Sequence, residues 1–193
     1  MAAGRPDEFD LVVVCSGNRF RSPIAEGVLK AATDGLAVRV RSVGTLDLAS
    51  VPALPEALEL APSFGIDLSP HRSRRLSEAD LSDADLVVGF EPIHVSSAVV
   101  RAGARRERTF LLTELVDCLA GVVLPDGLGP LERGRLAVQG ADQARKNAGL
   151  PGWEEIADPM GGTPADFRSC GEQVHRLTRR LAELLFGSAS AVS

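Results

Sequence analysis

Cys15 and Arg21 bracket a short stretch whose residue types suit nucleophilic chemistry on an anion. The stretch reads Cys15-Ser16-Gly17-Asn18-Arg19-Phe20-Arg21-Ser22. A thiolate is a strong nucleophile. A planar guanidinium can grip two oxygens of a tetrahedral anion. The apolar run Leu11-Val12-Val13-Val14 precedes the stretch, and Pro23 to Thr33 reads as a helix. Strand, loop and helix in that order form an anion-binding layout. Successive loop N–H groups point inward as a nest, and the helix N-terminus adds unpaired donors and the positive end of its dipole. Each of these groups favours a sulfur anion, and the same groups would hold a phosphate dianion above it. Ser16, Gly17, Asn18, Arg19, Phe20, Arg21 and Ser22 are therefore the expected phosphate-binding residues. Gly17 is expected to supply a backbone conformation that other residues resist. Ser22 is expected to cap the helix, with Pro23 in its first position.

The rest of the chain must position this loop. At 193 residues, 45% of them hydrophobic, it is long enough for one α/β domain with a sizeable core. The formal net charge of -5 argues against nucleic acid as the default partner. The basic clusters Arg101 to Arg108 and Arg72-Arg74-Arg75 read as solvated faces. Cys15, Cys118 and Cys170 lie far apart, and no pair has metal-site or thioredoxin-like spacing. A sparse, odd set of cysteines fits a reducing compartment. Met1 to Asp10 lacks the apolar core of a secretory signal, and no run approaches the ~20 apolar residues of a spanning helix. The expectation is a cytoplasmic protein with no membrane contact, no metal and no cofactor, acting as a monomer or weak dimer.

Apolar patterning places four strands, at Phe9 to Val14, Ala37 to Val43, Asp85 to Phe90 and Thr109 to Leu112. The second alternates with Arg39 and Arg41, as a half-exposed edge would. Between them come a helix from Pro55 that Pro62 must stop or kink, a short helix at Ser77 to Asp80, and a helix from Pro92 to Ala102 ended by Gly103. Glu114 to Leu119 reads as helical. From 120 to 152 the signal fades into an insertion of unknown role, in which Arg135 to Ala148 reads as an exposed helix. The last helix is capped by Thr163 with Pro164 behind it. Its apolar stripe is Phe167, Cys170, Val174, Leu177, Leu181 and Leu184, so Cys170 is expected to pack rather than react. Residues 1–8 and 188–193 are expected to be flexible.

The segments Val14-Cys15-Ser16-Gly17-Asn18 and Arg21-Ser22-Pro23-Ile24-Ala25-Glu26 resemble the signature V-C-x-G-N-x-C-R-S-P-x-A-E of the low-molecular-weight protein tyrosine phosphatases. Three further segments are similar to that family's pattern. Ser42-Val43-Gly44-Thr45 stands for S-A-G-T, Gly65 to Arg74 for G-I-D-x-S-x-H-x-A-R, and Asp158-Pro159-Met160-Gly161-Gly162 for D-P-Y-x-G. The resemblance implies one three-layer α/β domain spanning residues 1–193, with a four-stranded parallel sheet in the order 2-1-3-4. It implies that Cys15 is the nucleophile, Arg21 the dianion clamp and Asp158 the acid. Pro159 would hold Asp158 to extended backbone angles, although Asp-Pro is also a common turn. Asn18, Ser22, Ser42 and His71 would support the loop, with Ser22 donating a hydrogen bond to the sulfur.

The reaction implied is phosphomonoester hydrolysis through a phosphocysteine, on a phosphorylated protein or a small phosphomonoester. A small-molecule phosphatase and a thiol-dependent arsenate reductase are the alternatives on the same loop. The chain departs from the family in three places. Phe20 replaces the second loop cysteine. The chain contains no tyrosine. Met160 and the Leu46 to Leu48 region stand where aromatic pocket walls are usual, and Trp153 is a candidate substitute wall. Arg19, at the pocket rim, would favour an additional anionic group on the substrate.

Overall fold

The computed structural model describes residues 7–48, 50–149 and 152–187. Strands Phe9–Cys15 (β1), Val38–Gly44 (β2), Leu86–Gly89 (β3) and Thr109–Leu111 (β4) form one parallel sheet. Its order is β2-β1-β3-β4, as the resemblance implied. The central strand β1 is buried along its whole length, and its side chains divide by twos. Phe9, Leu11, Val13 and Cys15 join one hydrophobic cluster, while Val12 and Val14 join another on the opposite face. A strand covered on both faces must read as a continuous apolar run, and this one does.

Helices Arg21–Ala32 (α1), Leu112–Ala120 (α4), Pro130–Ala148 (α5) and Pro164–Phe186 (α6) cover the first face. Helix Pro92–Ala102 (α3) covers the second, through Ala98 and Ala102. A short helix, Pro55–Leu60 (α2), lies against α6. It ends where Pro62, which has no N–H, forces a 3₁₀ turn at Ala61–Phe64. Gly103, in the left-handed region at φ 74°, closes α3. Thr163 caps α6, exchanging hydrogen bonds with Asp166. The Ser77 to Asp80 segment is a 3₁₀ turn at Leu76–Glu78 rather than an α-helix.

The insertion departs most from expectation. α5 starts five residues before Arg135 and is not a solvated helix. Ala137, Val138 and Ala141 enter the same cluster as Phe9 and Leu11. Arg145 is buried beside Asp142 and Glu114. Its guanidinium lies 4.1 Å from the Phe110 ring centroid and bonds the carbonyls of Thr109 and Arg106. Small residues spaced along α5 allow the close approach, which is why its apolar signal is weak. The flexible ends expected at 1–8 and 188–193 lie outside the described residues except for Asp7 and Glu8. The Glu8 carbonyl accepts a hydrogen bond of 2.7 Å from Arg135.

Placing a carboxylate inside this layer tests that burial. Val138→Asp is expected to lower the unfolding free energy by about 3 kcal/mol or more. A change within about 0.5 kcal/mol, measured by urea denaturation, would be the result for an exposed helix.

Candidate active site

β1 ends at Cys15, and residues 16–20 turn the chain into α1. α1 begins at Arg21, so Ser22 lies inside its first turn and does not cap it. The Ser22 hydroxyl is instead 3.0 Å from Cys15 Sγ. The residue with left-handed backbone is Asn18, at φ 53°; Gly17 has no positive φ. Asn tolerates that region better than most residues do. The Asn18 N–H reaches Cys15 Sγ at 3.2 Å. The Phe20 ring is buried and packs edge-on against Phe167 at 5.1 Å.

Every polar atom of Asn18 is used. Its Oδ1 accepts from the Arg74 N–H at 2.8 Å, which fixes the orientation of the amide. Its Nδ2 then donates to Ser22 Oγ at 2.9 Å and to Ser42 Oγ at 2.7 Å. With a lone pair so occupied, Ser22 has its proton free for the sulfur. Ser42 hands its own proton to Glu26 Oε2. His71 Nε2 donates to the Asn18 carbonyl at 2.8 Å. Burial lowers the His71 pKa below its ordinary value, against the pull of that bond. Glu26 is buried in α1, yet its pKa is lowered. Burial pushes it up, and the bonds from Lys30, Ser42 and Arg74 together outweigh that.

Gly44 joins this support. A methyl group there would stand 2.8 Å from the Ser16 carbonyl and 3.0 Å from Asn18 N. The end of β2 thus lies directly beneath the loop backbone, with no room for a side chain.

Arg21 is 1% exposed, and both of its terminal nitrogens are occupied. Its Nη1 meets Glu91 Oε2 at 2.6 Å and the Ile156 carbonyl at 2.8 Å. Its Nη2 meets Asp158 Oδ2 at 2.6 Å and Ser16 Oγ at 3.2 Å. Ile156 holds the Asp158 loop to the sheet, since its own N–H bonds the Phe90 carbonyl at 3.0 Å. The Met160 N–H fixes Asp158 Oδ1 at 3.2 Å. The structure therefore brings Cys15, Arg21 and Asp158 to one cleft, of about 100 Å³. The cleft walls are Leu46, Leu48, Leu54 and Met160, with Arg19 at the edge bonding the Pro52 carbonyl. Trp153 is not a wall. It lines a separate groove with Val95 and Val99, because its loop runs along α3.

Glu91, His94, Ile156, Gly44 and Glu26 were not singled out in the sequence. For Gly44 and Glu26 a signal existed, since both fall within motif segments; for the other three none did. His94 has no exposed surface, and its Nε2 lies 3.0 Å from Ser16 Oγ. Burial, then the neighbouring Arg21 charge, lowers its pKa to about 4. Cys170 lies under the same loop, 3.8 Å from the Ala157 carbonyl, and burial pushes its thiol up to about 11. Cys118 is raised as well, by burial and then by Glu114. Among the described residues no group of three or more His, Cys, Asp or Glu converges in a way that could hold a metal ion. None of the described helices is long and apolar enough to cross a membrane.

A parallel sheet whose central strand delivers a thiol into a loop closed by a buried arginine, with a carboxylate opposite, defines a thiol-dependent phosphatase of the α/β class. The comparisons give the family. The model for "low molecular weight phosphotyrosine protein phosphatase" matches residues 10–126, more than half of the chain, and the chain belongs to that family of hydrolases. It is 29% identical over 178 residues to a protein-arginine-phosphatase of Bacillus subtilis, covering 91% of this chain and 96% of that one. It is 32% identical over 107 residues to the protein-tyrosine-phosphatase Etp of Escherichia coli, covering 55% and 71%. The crystal structure of a low molecular weight protein tyrosine phosphatase from T. tengcongensis superposes with a TM-score of 0.66 at 28% identity, covering 91% and 99%.

Two outcomes follow from the geometry. Gly44→Ala is expected to displace the loop backbone and reduce kcat/KM on an aryl phosphate by at least about tenfold, a loss of about 1.4 kcal/mol in transition-state stabilisation. Unchanged kinetics would mean that the loop does not rest on β2. The His94 pKa is lower folded than unfolded, so the unfolded chain takes the proton first as pH falls. Its contribution to stability is complete above about pH 6.5 and is lost between there and about pH 4. Between pH 7 and pH 5 the loss is expected to be about 2 kcal/mol. His94→Asn should show a correspondingly smaller drop in urea denaturation over that range.

Proposed function

We propose that Cys15, Arg21 and Asp158 carry out the hydrolysis in two steps. Substrate phosphate displaces the Asp158 carboxylate from Arg21 and takes its place on the guanidinium. The freed carboxylate takes up the proton that the Cys15 thiol gives up by way of the bound phosphate, and Sγ then attacks phosphorus. The S–P bond forms, the bond to the leaving group breaks, and protonated Asp158 gives its proton to the departing atom. Water cleaves the phosphocysteine in the second step, with Asp158 taking a proton from it and the thiolate departing. Asn18 and Ser22 stabilise charge on sulfur in both steps. Ser42, His71 and Glu26 hold Asn18. The observation that carries this reading is the convergence on one cleft of a doubly hydrogen-bonded sulfur and the Arg21–Asp158 pair.

The proposed substrate is a phosphorylated protein side chain, with phosphotyrosine first because of the family. Phosphoarginine is a second reading. It is supported by the near-complete overlap with the arginine phosphatase and by aliphatic walls that offer no ring to stack on an aryl group. Helix α5 acts as a packing layer of the same single domain. The three free cysteines suit a reducing compartment such as the cytoplasm.

Cys15→Ser is expected to lose turnover and keep phosphate binding, measured by p-nitrophenyl phosphate hydrolysis and calorimetry; a variant that still turns over sinks the assignment. Asp158→Asn should lose about 10²-fold or more on alkyl phosphates and far less on p-nitrophenyl phosphate. Equal losses on both would remove it as the acid. Matched phosphotyrosine and phosphoarginine peptides, compared by kcat/KM, decide between the two substrates.

A further inference from the structure

His94 has one tautomer open to it. Its Nδ1 accepts from the backbone N–H groups of Phe90 at 3.3 Å and Glu91 at 3.1 Å. A nitrogen accepting two hydrogen bonds carries no hydrogen, so the imidazole proton is on Nε2. That Nε2–H faces Ser16 Oγ at 3.0 Å, with Glu91 Oε2 farther off at 3.5 Å. Ser16 Oγ is therefore an acceptor toward His94. Its other lone pair receives Arg21 Nη2 at 3.2 Å. A hydroxyl has two lone pairs and one proton. With both pairs taken, the proton must point away from His94 and Arg21. Among the described residues, no acceptor lies within reach of it.

The position of that unpaired donor gives it meaning. Ser16 is half-buried and lines the cleft with Cys15. The Arg21 nitrogen that bonds Ser16 is the same one that bonds Asp158. The free hydroxyl proton thus borders the place where an oxyanion would meet Arg21. We propose that the Ser16 hydroxyl donates a hydrogen bond to the transferring phosphoryl group, and that His94 is the positioning residue that aims it. This rests on the phosphatase reading above. It adds to that reading a side-chain donor beside the loop amides and the guanidinium. A preorganised donor of this kind strengthens as negative charge is redistributed in the transition state, so its loss falls mainly on kcat.

Steady-state kinetics on p-nitrophenyl phosphate and inhibition by vanadate, a mimic of the transferring group, test the proposal. Ser16→Ala is expected to lower kcat by about tenfold or more and to weaken vanadate to a similar degree. Ser16→Thr, which keeps the hydroxyl, should restore most of both. His94→Asn should lower kcat in the native background and have no further effect in the Ser16→Ala background. An alanine variant as active as the native enzyme overturns the proposal. So does a threonine variant as impaired as the alanine one, or His94 and Ser16 losses that simply multiply. His94 is wholly buried, so its substitution is backed by a measurement on the native protein. Nitrogen-15 NMR of the ring should report an Nε2-protonated neutral imidazole from pH 6 to 8, and an Nδ1-protonated ring would overturn the aiming role. Absence of any Cys15-dependent hydrolysis in the native enzyme would instead overturn the reading on which the proposal stands.

Discussion

Arg21 carries a full charge almost entirely out of water, and the surroundings must compensate for it. Removing a cation from solvent costs several kcal/mol unless acceptors of good geometry replace the water. Here the acceptors are the Glu91 and Asp158 carboxylates, the Ile156 carbonyl and the Ser16 hydroxyl. They come from the Cys15 loop, from the start of α3 and from the segment before α6. The demand of one guanidinium therefore gathers three distant parts of the chain around the sulfur. The pairing also makes the site competitive. Two carboxylates already face one cation, so any further anion at that guanidinium would compete with Asp158 for its place.

Asn18 does the corresponding work on the other side of the loop. Its left-handed backbone costs on the order of 1 kcal/mol. Five hydrogen bonds hold it there, to Cys15, His71, Arg74, Ser22 and Ser42. Behind them stand Glu26, kept ionised by its partners, and Gly44, whose missing side chain lets β2 touch the loop. The loop conformation is thus held by bonds within the protein itself.

Much of this was legible in the sequence, and the failures have physical causes. The Cys15 to Arg21 spacing, the strand runs, the break at Pro62 and the Thr163 cap all depend on neighbours in sequence. Sequence alone points to Gly17 for the left-handed position because glycine is the usual occupant; Asn18 holds it because its side chain satisfies the surrounding backbone. Ser22 was read as a cap because helices often begin after serine. The helix begins earlier, and the hydroxyl is drawn to the sulfur. α5 was read as exposed because alanine and glycine give little apolar signal, yet small residues are what close packing against α4 and α6 requires. Trp153 is a candidate wall in the sequence because Met160 and the Leu46 to Leu48 region stand where aromatic residues are usual, but its loop runs along a different face.

By itself the amino-acid order determined the loop from Cys15 to Arg21, the strand that leads into it and the parallel sheet, since each follows from periodicity or from contacts only a few residues apart. Only the folded chain decided that Glu91, His94 and Ile156 belong to the site. They lie 70 to 135 residues from Arg21 or Ser16. Nothing local marks them, because what selects them is the unmet hydrogen-bonding need of buried groups elsewhere. A buried charge or amide takes its partners from whatever the packing brings within 3 Å, and that neighbourhood exists only after the layers have closed.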